Sequence, residues 1–165
     1  MLKLIGVAAI ILFTTGIGAM FARELRTRHK ELECLLKIIR YIESQIRYKA
    51  ISVSAIIKNM SDDGVSKDLR VMEKCKNAAS GRQVADCIGK NSSSTSLKSE
   101  DIKIAQSFFN SLGKSDVEGE IENCRLHEKM LLARLDDASR QVSSKTRLYY
   151  TLGLFSGLMV SIIII

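Results

Sequence analysis

The 165-residue sequence contains no proline and no tryptophan, and only two histidines. Because proline ends or kinks a helix, its absence leaves long helices uninterrupted. The residues that punctuate strands and hairpins are also scarce. These absences predict an all-α protein.

The chain lacks the short motifs that catalysis or metal binding would need. It has no glycine-rich phosphate loop followed by Lys-Ser/Thr, no H-E-x-x-H and no G-x-S-x-G. His29 and His127 are isolated, and the carboxylate pairs Asp62-Asp63 and Asp136-Asp137 do not face one another on a helix, because sequence neighbours point in different directions. We therefore predict no catalytic residue, no metal site and no cofactor, and we predict that the chain is not an enzyme.

Four cysteines, Cys34, Cys75, Cys87 and Cys124, are separated by 41, 12 and 37 residues. These spacings fit no zinc or redox motif. A cytoplasmic domain would keep the thiols reduced, so we predict four small buried hydrophobic side chains.

Long runs without charge occur only at the two ends of the chain. Residues 4–22 and 148–165 contain no charged side chain. As helices they would rise roughly 27–29 Å, close to the 30 Å of a hydrocarbon core. We predict transmembrane helices at residues 1–22 and 148–165 around a cytoplasmic helical domain, residues 23–147.

A cleavable signal peptide is the alternative for the first segment. The segment lacks a clean A-x-A cleavage site, its apolar run is longer than usual, and basic residues follow it directly. These features favour an uncleaved anchor.

Basic residues cluster beside the two apolar segments. With Glu24 as their only acidic neighbour, they account for the whole formal net charge of +7. Since such residues favour the cytoplasmic side of a membrane, both segments predict that the termini lie outside and the middle region inside. In the rest of the chain the basic and acidic residues cancel, so nucleic acid is not a predicted partner. The cluster comprises Lys3, Arg23, Arg26, Arg28, Lys30, Arg140, Lys145 and Arg147.

The middle region shows helical periodicity. Residues 30–49 predict a helix whose apolar positions share one face. Shorter helices are predicted after Ser52, after Ser66 and around Val84, with a turn at 61–64. The polar run 90–96 predicts a solvated, mobile connector. The apolar face of the first helix consists of Leu32, Leu35, Leu36, Ile39, Ile42 and Ile46.

A helix from Ser99 is predicted to end at Gly113, and Ser115 with Glu118 resembles a capping box for the next helix. That next helix carries an a/d pattern over about four heptads. A seam inside the bundle and a seam between subunits fit the pattern equally. The seam positions are Val117, Ile121, Cys124, Glu128, Leu131, Leu135, Ala138 and Val142.

Small residues recur every fourth position in both apolar segments. Gly153 and Gly157 form G-x-x-x-G, and Thr14, Gly18 and Ala22 have the same spacing. This spacing allows close approach of helix backbones in lipid, although it is also common by chance. We predict helix–helix packing at Gly18, Gly153 and Gly157.

Several stretches along the whole chain resemble the stage III sporulation protein AB family of endospore-forming bacteria. They are residues 1–6, 42–48 and 108–116, the last containing Leu112, Gly113, Ser115 and Asp116, and the tail 152–158. The sequence departs from the family at residues 51–53, at Phe109 and at Glu120, where the family has a glutamine.

The resemblance implies an antiparallel bundle of about six helices, similar to the cytoplasmic domain of the type II secretion platform protein F. It also implies a non-catalytic scaffold of the channel between mother cell and forespore, located in the outer forespore membrane on the mother-cell side. The implied partners are the ATPase-like stage III sporulation protein AA, other channel components, the lipid bilayer and further copies of the chain. A membrane-anchored signal transducer or adaptor is the alternative, and a membrane-bound enzyme is a weaker third.

Overall fold

The protein is built from helices alone in the part of the chain that the structure, a computed structural model, describes. That part is residues 2–49 and 51–164, with side chains described except at residues 2–11, 49, 61, 62, 154 and 161–164. The predicted all-α class is confirmed. The helices are α1 (Leu2–Lys49), α2 (Val53–Asp62), α3 (Arg70–Lys74), α4 (Gly81–Lys90), α5 (Ser99–Ser111) and α6 (Val117–Ile164), with a 3-10 turn at Ser92–Ser94.

Local sequence explains most of the helix ends. Ser52 and Ser80 cap α2 and α4, each accepting a hydrogen bond from the backbone N–H three residues on. Gly64, at φ +68°, provides the left-handed residue of the turn after α2. The predicted start of α3 at Ser66 is wrong, because the chain first passes through turns in which the N–H of Leu69 donates to the carbonyl of Ser66. The helix begins at Arg70.

The chain forms two compact units. One comprises residues 1–27 and 138–165, and the other comprises residues 28–137. We call the first the helix pair and the second the bundle. Helices α1 and α6 contribute residues to both units.

Helix α1 forms the centre of the bundle core. All six positions of its predicted apolar face are buried, and Cys34 and Ile38 on neighbouring faces are buried as well. A helix buried on this many faces is surrounded by the others rather than resting on a surface. The largest fully buried side chains of the other bundle helices are Ile56, Met60, Ile88, Phe108, Phe109 and Leu131.

The serine-rich run is held to the bundle rather than free. Glu31, fully buried on α1, accepts hydrogen bonds from the Thr95 hydroxyl at 2.6 Å and from the Ser96 N–H at 2.8 Å. The prediction of a mobile connector is therefore wrong for this end of the run. A carboxylate that comes 64 residues earlier in the chain stabilises it, which local polarity does not reveal.

In the helix pair, small residues lie where the two helices approach each other. A Cβ atom on Gly18 would collide with the carbonyl of Tyr149, and one on Gly153 would lie 2.9 Å from the carbonyl oxygen of Thr14. Phe21 stacks on Tyr149 with ring centroids 5.7 Å apart. A side chain at Gly18 or Gly153 would thus meet the backbone of the other helix, and Gly157 is buried. The helix–helix packing role of the three glycines stays a prediction.

Among the residues that the structure describes, no helix is long and apolar enough to cross a membrane. The predicted spans 1–22 and 148–165 thus lack support from the structure. Parts of both, at residues 1–11, 154 and 161–165, lie outside the described side chains.

Candidate interaction site

A cleft opens in the bundle where α1 ends and α6 begins. Its volume is about 640 Å³, which is within the usual range for ligand pockets. We call it the α1–α6 cleft. Its lining residues are Arg47, Asp116, Glu118, Gly119, Ile121, Glu122 and Arg125.

Glu120 fixes the loop that forms one side of this cleft. Its buried carboxylate oxygen Oε1 accepts hydrogen bonds from the N–H groups of Gly113, Lys114 and Ser115, at 2.9, 3.0 and 3.0 Å. Gly113 has φ +83°, a conformation that favours glycine. Three backbone donors on one carboxylate oxygen hold the loop in a single geometry.

The predicted capping box of Ser115 and Glu118 is wrong. The side chain of Asp116 makes the cap, because its Oδ1 accepts from the N–H of Gly119 at 3.0 Å. Glu120 provides the carboxylate that reaches back. The helix starts one residue later than the box requires, so Glu118 points to solvent instead.

The charges around the cleft are unevenly paired. Glu43 of α1 forms ion pairs with Arg47 and, at 3.8 Å, with Arg125 of α6, so it joins the two helices. Asp116 and Glu118 form no ion pair with any residue that the structure describes. The cleft therefore offers two carboxylates to a positively charged group on a partner.

Two large apolar side chains flank the lining residues in sequence. Tyr48 follows Arg47 and is 81% exposed, and Val117 lies between Asp116 and Glu118 and is 54% exposed. Apolar side chains exposed beside unpaired charges are typical of protein–protein contact surfaces. Tyrosine in particular is frequent among the residues that dominate such contacts.

A buried ion network holds three bundle helices together. Asp101 on α5 is fully buried and accepts hydrogen bonds from Arg28 of α1 (Nε–Oδ2 2.8 Å, Nη2–Oδ1 3.2 Å) and from Arg134 of α6 (Nε–Oδ1 2.8 Å). It also caps its own helix by accepting from the N–H of Lys98 at 3.0 Å.

Burial alone would raise the pKa of Asp101. The hydrogen bonds from Arg28, Arg134 and Lys98 outweigh burial and hold that pKa below its ordinary value. The carboxylate is therefore ionised at neutral pH. Arg134 also pairs with Glu100, and Arg28 lies 3.8 Å from Asp137.

The sequence did not reveal this network. Arg28 belongs in the sequence to the basic cluster beside the first apolar segment, and Asp101 lies in the first turn of α5. The two are 73 residues apart. The only local signal was an acidic residue at the N-terminus of a helix, which is common and satisfies a cap without any distant partner.

His127 lies in the bundle core rather than on a charged surface. Its Nδ1 is 2.9 Å from the carbonyl oxygen of Asn123, its Nε2 is 3.3 Å from the hydroxyl of Ser107, and its ring meets Phe108 edge to face. These contacts fix the orientation of the imidazole. No group of histidine, cysteine and acidic side chains that could hold a metal ion occurs among the described residues.

The cysteines divide into two kinds. Cys75 and Cys87 form a disulfide that joins the C-terminal end of α3 to the second half of α4, so the prediction of four reduced thiols is wrong for this pair. Folding brings them to a Cα–Cα distance of 5.8 Å, which spacing alone could not show. Cys34 and Cys124 are free and buried, and burial raises the pKa of their thiols to about 11 and about 12.

The predicted seam of α6 is unevenly buried. Leu131 is buried in the bundle, Ile121 and Leu135 are half-buried, and Val117 is exposed. Val142, half-buried, belongs to the helix pair. Of the family segment 112–116, Leu112 is buried and the remaining four residues are exposed.

Comparison with known proteins gives one family. A family model described as stage III sporulation protein AB matches residues 3–165, nearly the whole chain. No curated protein matches the chain, and no solved structure matches it.

Proposed function

Because the chain belongs to the stage III sporulation protein AB family, we propose that it is a non-catalytic scaffold subunit of the channel between mother cell and forespore. In this proposal it anchors the ATPase stage III sporulation protein AA beside other channel components. The bundle receives the ATPase and the helix pair attaches to the outer forespore membrane on the mother-cell side. The family assignment supports the sporulation role.

The α1–α6 cleft carries the docking part of the proposal. Its lining includes Asp116 and Glu118, which form no ion pair with the described residues, and the loop that Glu120 holds at residues 113–115 lies directly before them. Exposed Tyr48 of α1 and Val117 of α6 are sequence neighbours of lining residues. A rigid surface loses little conformational entropy when a partner binds. The partner surface that fits is an apolar patch beside an arginine or lysine.

The helix pair supports the membrane part of the proposal. It exposes large apolar side chains that water does not favour, among them Phe13, Met20, Phe155 and Met159. In this arrangement the termini lie outside and residues 23–147 lie in the cytoplasm, where the Cys75–Cys87 disulfide would depart from the reduced state that is usual there.

The test is calorimetric binding of the purified ATPase to the full-length chain in non-ionic detergent. Glu118→Lys places a positive charge in the cleft and should weaken binding at least about tenfold, or 1.4 kcal/mol. Glu73→Lys makes the same change at an exposed position of α3 and should leave binding within about twofold.

Two outcomes separate the parts of the proposal. No binding by the wild-type chain, with both proteins folded, would mean that anchoring of this ATPase is wrong. Binding that Glu118→Lys and Glu73→Lys weaken equally would mean that the partner docks elsewhere on the bundle.

The continuity of two helices favours signal transduction as a second candidate function. Helices α1 and α6 each run for 48 residues and contribute to both units. An unbroken helix can pass a displacement from one unit to the other. A flexible Gly-Ser insertion at residues 143–147 should abolish sporulation if the chain transmits a signal along these helices. Sporulation at the wild-type level would rule out signal transduction and leave only the scaffold role.

A further inference from the structure

The exposed surface of the helix pair is apolar over most of its described length. Phe13 is 71% exposed, Met20 72%, Phe155 66% and Met159 70%. Water-facing surfaces of soluble monomers rarely concentrate so many large apolar side chains. This surface is therefore expected to contact lipid or another protein surface when the protein functions.

Basic residues border the apolar surface on both helices. All five are exposed, and Glu24 is the only acidic residue in the described part of the helix pair. We call them the basic band: Arg23, Arg26, Arg140, Lys145 and Arg147.

The antiparallel packing of the helix pair brings the band to one level. Gly18 lies against Tyr149 and Gly153 against Thr14. This register places residues 23 and 26 of α1 level with residues 144 and 141 of α6. The positive charges of the two helices therefore lie side by side instead of at opposite ends.

We propose that the helix pair binds an anionic phospholipid surface, with lipid phosphates against the basic band and acyl chains against the apolar surface. This inference rests on the proposed membrane attachment and adds to it a preference for lipid charge. Guanidinium and ammonium groups complement phosphate, and each basic residue near an anionic surface strengthens binding about fivefold.

Charge also distinguishes a lipid surface from a second copy of the chain. A second copy packed in parallel register on the apolar surface would bring one basic band close to another, and like charges repel. An anionic lipid surface removes that repulsion. Tyr149 and Tyr150 lie between the band and the apolar residues, where an interfacial belt places tyrosine.

The experiment measures capture of the full-length chain, synthesised without cells, by vesicles of phosphatidylcholine alone or of phosphatidylcholine mixed equally with phosphatidylglycerol. The wild-type chain should need at least tenfold less of the mixed lipid for half capture, and high salt should reduce this preference. Changing Arg23, Arg26, Lys145 and Arg147 to glutamine should remove the preference.

A matched control removes the same amount of charge from the bundle by changing Lys74, Lys76, Arg82 and Lys90 to glutamine, and it should keep the wild-type preference. The double variant Arg26→Gln with Arg147→Gln should show a lipid preference between those of wild type and the quadruple variant of the basic band. If the quadruple variant loses its helical circular dichroism, the double variant tests the proposal in its place.

Each contrary result would refute a different part of the proposal. Equal capture of the wild-type chain by both vesicles would refute the charge preference and leave membrane attachment standing. Capture by neither vesicle would refute the proposed attachment and the inference with it. A stable dimer in lipid-free solution that vesicles do not capture would assign the apolar surface to a second copy instead.

Discussion

Replacing Asp101 with asparagine should lower the free energy of unfolding by about 3–5 kcal/mol, the usual loss when one partner of a buried ion pair is removed. The wild-type carboxylate accepts hydrogen bonds from Arg28, Arg134 and the N–H of Lys98. In the asparagine variant an amide NH₂ faces donors, and the two guanidinium groups lose the buried carboxylate that they share, keeping only the exposed carboxylates of Asp137 and Glu100. The side-chain volume hardly changes, so a cavity does not contribute.

The stability difference between wild type and Asp101→Asn should become smaller at acidic pH. Because the pKa of Asp101 is lower in the folded protein than in the unfolded chain, its contribution is complete above the unfolded value of about 3.9 and is lost as the pH falls through the folded value. The advantage of wild type over Asp101→Asn should therefore be constant near neutral pH. It should decline only below about pH 4.

The assay is urea unfolding of the full-length chain in non-ionic detergent, followed by far-ultraviolet circular dichroism. Asp86→Asn is the control, since it removes the same charge from an exposed position of α4 and should change stability by less than about 0.5 kcal/mol. A double-mutant cycle should show that the stability losses caused by Asp101→Asn and Arg134→Gln are not additive. If Asp101→Asn lies within 1 kcal/mol of Asp86→Asn, the network does not stabilise the bundle as argued.

Three further predictions concern local structure. Glu120→Ala leaves three backbone donors without their acceptor and should cost about 2–4 kcal/mol, whereas exposed Glu118→Ala should cost under about 1 kcal/mol in the same urea assay. Changing Cys75 and Cys87 together to serine should cost about 2–3 kcal/mol under oxidising conditions, and added dithiothreitol should remove the difference from wild type if the bond stabilises the fold. Gly81→Ala puts a Cβ against the carbonyl of Phe109 and should lower stability by about 1–3 kcal/mol, so an unchanged urea midpoint would contradict the close approach of α4 and α5.

Features with a local cause could be predicted from the sequence. The apolar face of α1 follows from helical periodicity. Ser52 marks a helix start because its hydroxyl accepts a hydrogen bond from a nearby backbone N–H, and Gly113 marks a helix end because a residue without a Cβ adopts a positive φ easily. The spacing of small residues at every fourth position predicts a packing role for Gly18 and Gly153, and their close approach to the other helix agrees with it. Each of these signals is contained in one turn or one helix.

Features that depend on distant residues could not be predicted. The partners Arg28 and Asp101 are 73 residues apart, and Glu31 binds Ser96 across 65. In the sequence each residue has an ordinary local explanation as a boundary charge, a helix start or part of a solvated loop. Only the packing of helices α1, α5 and α6 brings those charges together and makes their burial favourable.

The first turns of α6 show how one helix can both build a site and present it. Glu118 and Glu120 are two residues apart, so they point about 200° apart around the helix. Glu120 turns inward and fixes the loop, whereas Glu118 turns outward to the cleft. Loss of partner binding should therefore have different causes at the two positions. The Glu118→Lys defect should shrink as salt rises, because it is electrostatic, and the Glu120→Ala defect should persist, because it comes from a loosened loop. The same salt dependence for both variants would show that the cleft does not divide these roles between its two glutamates.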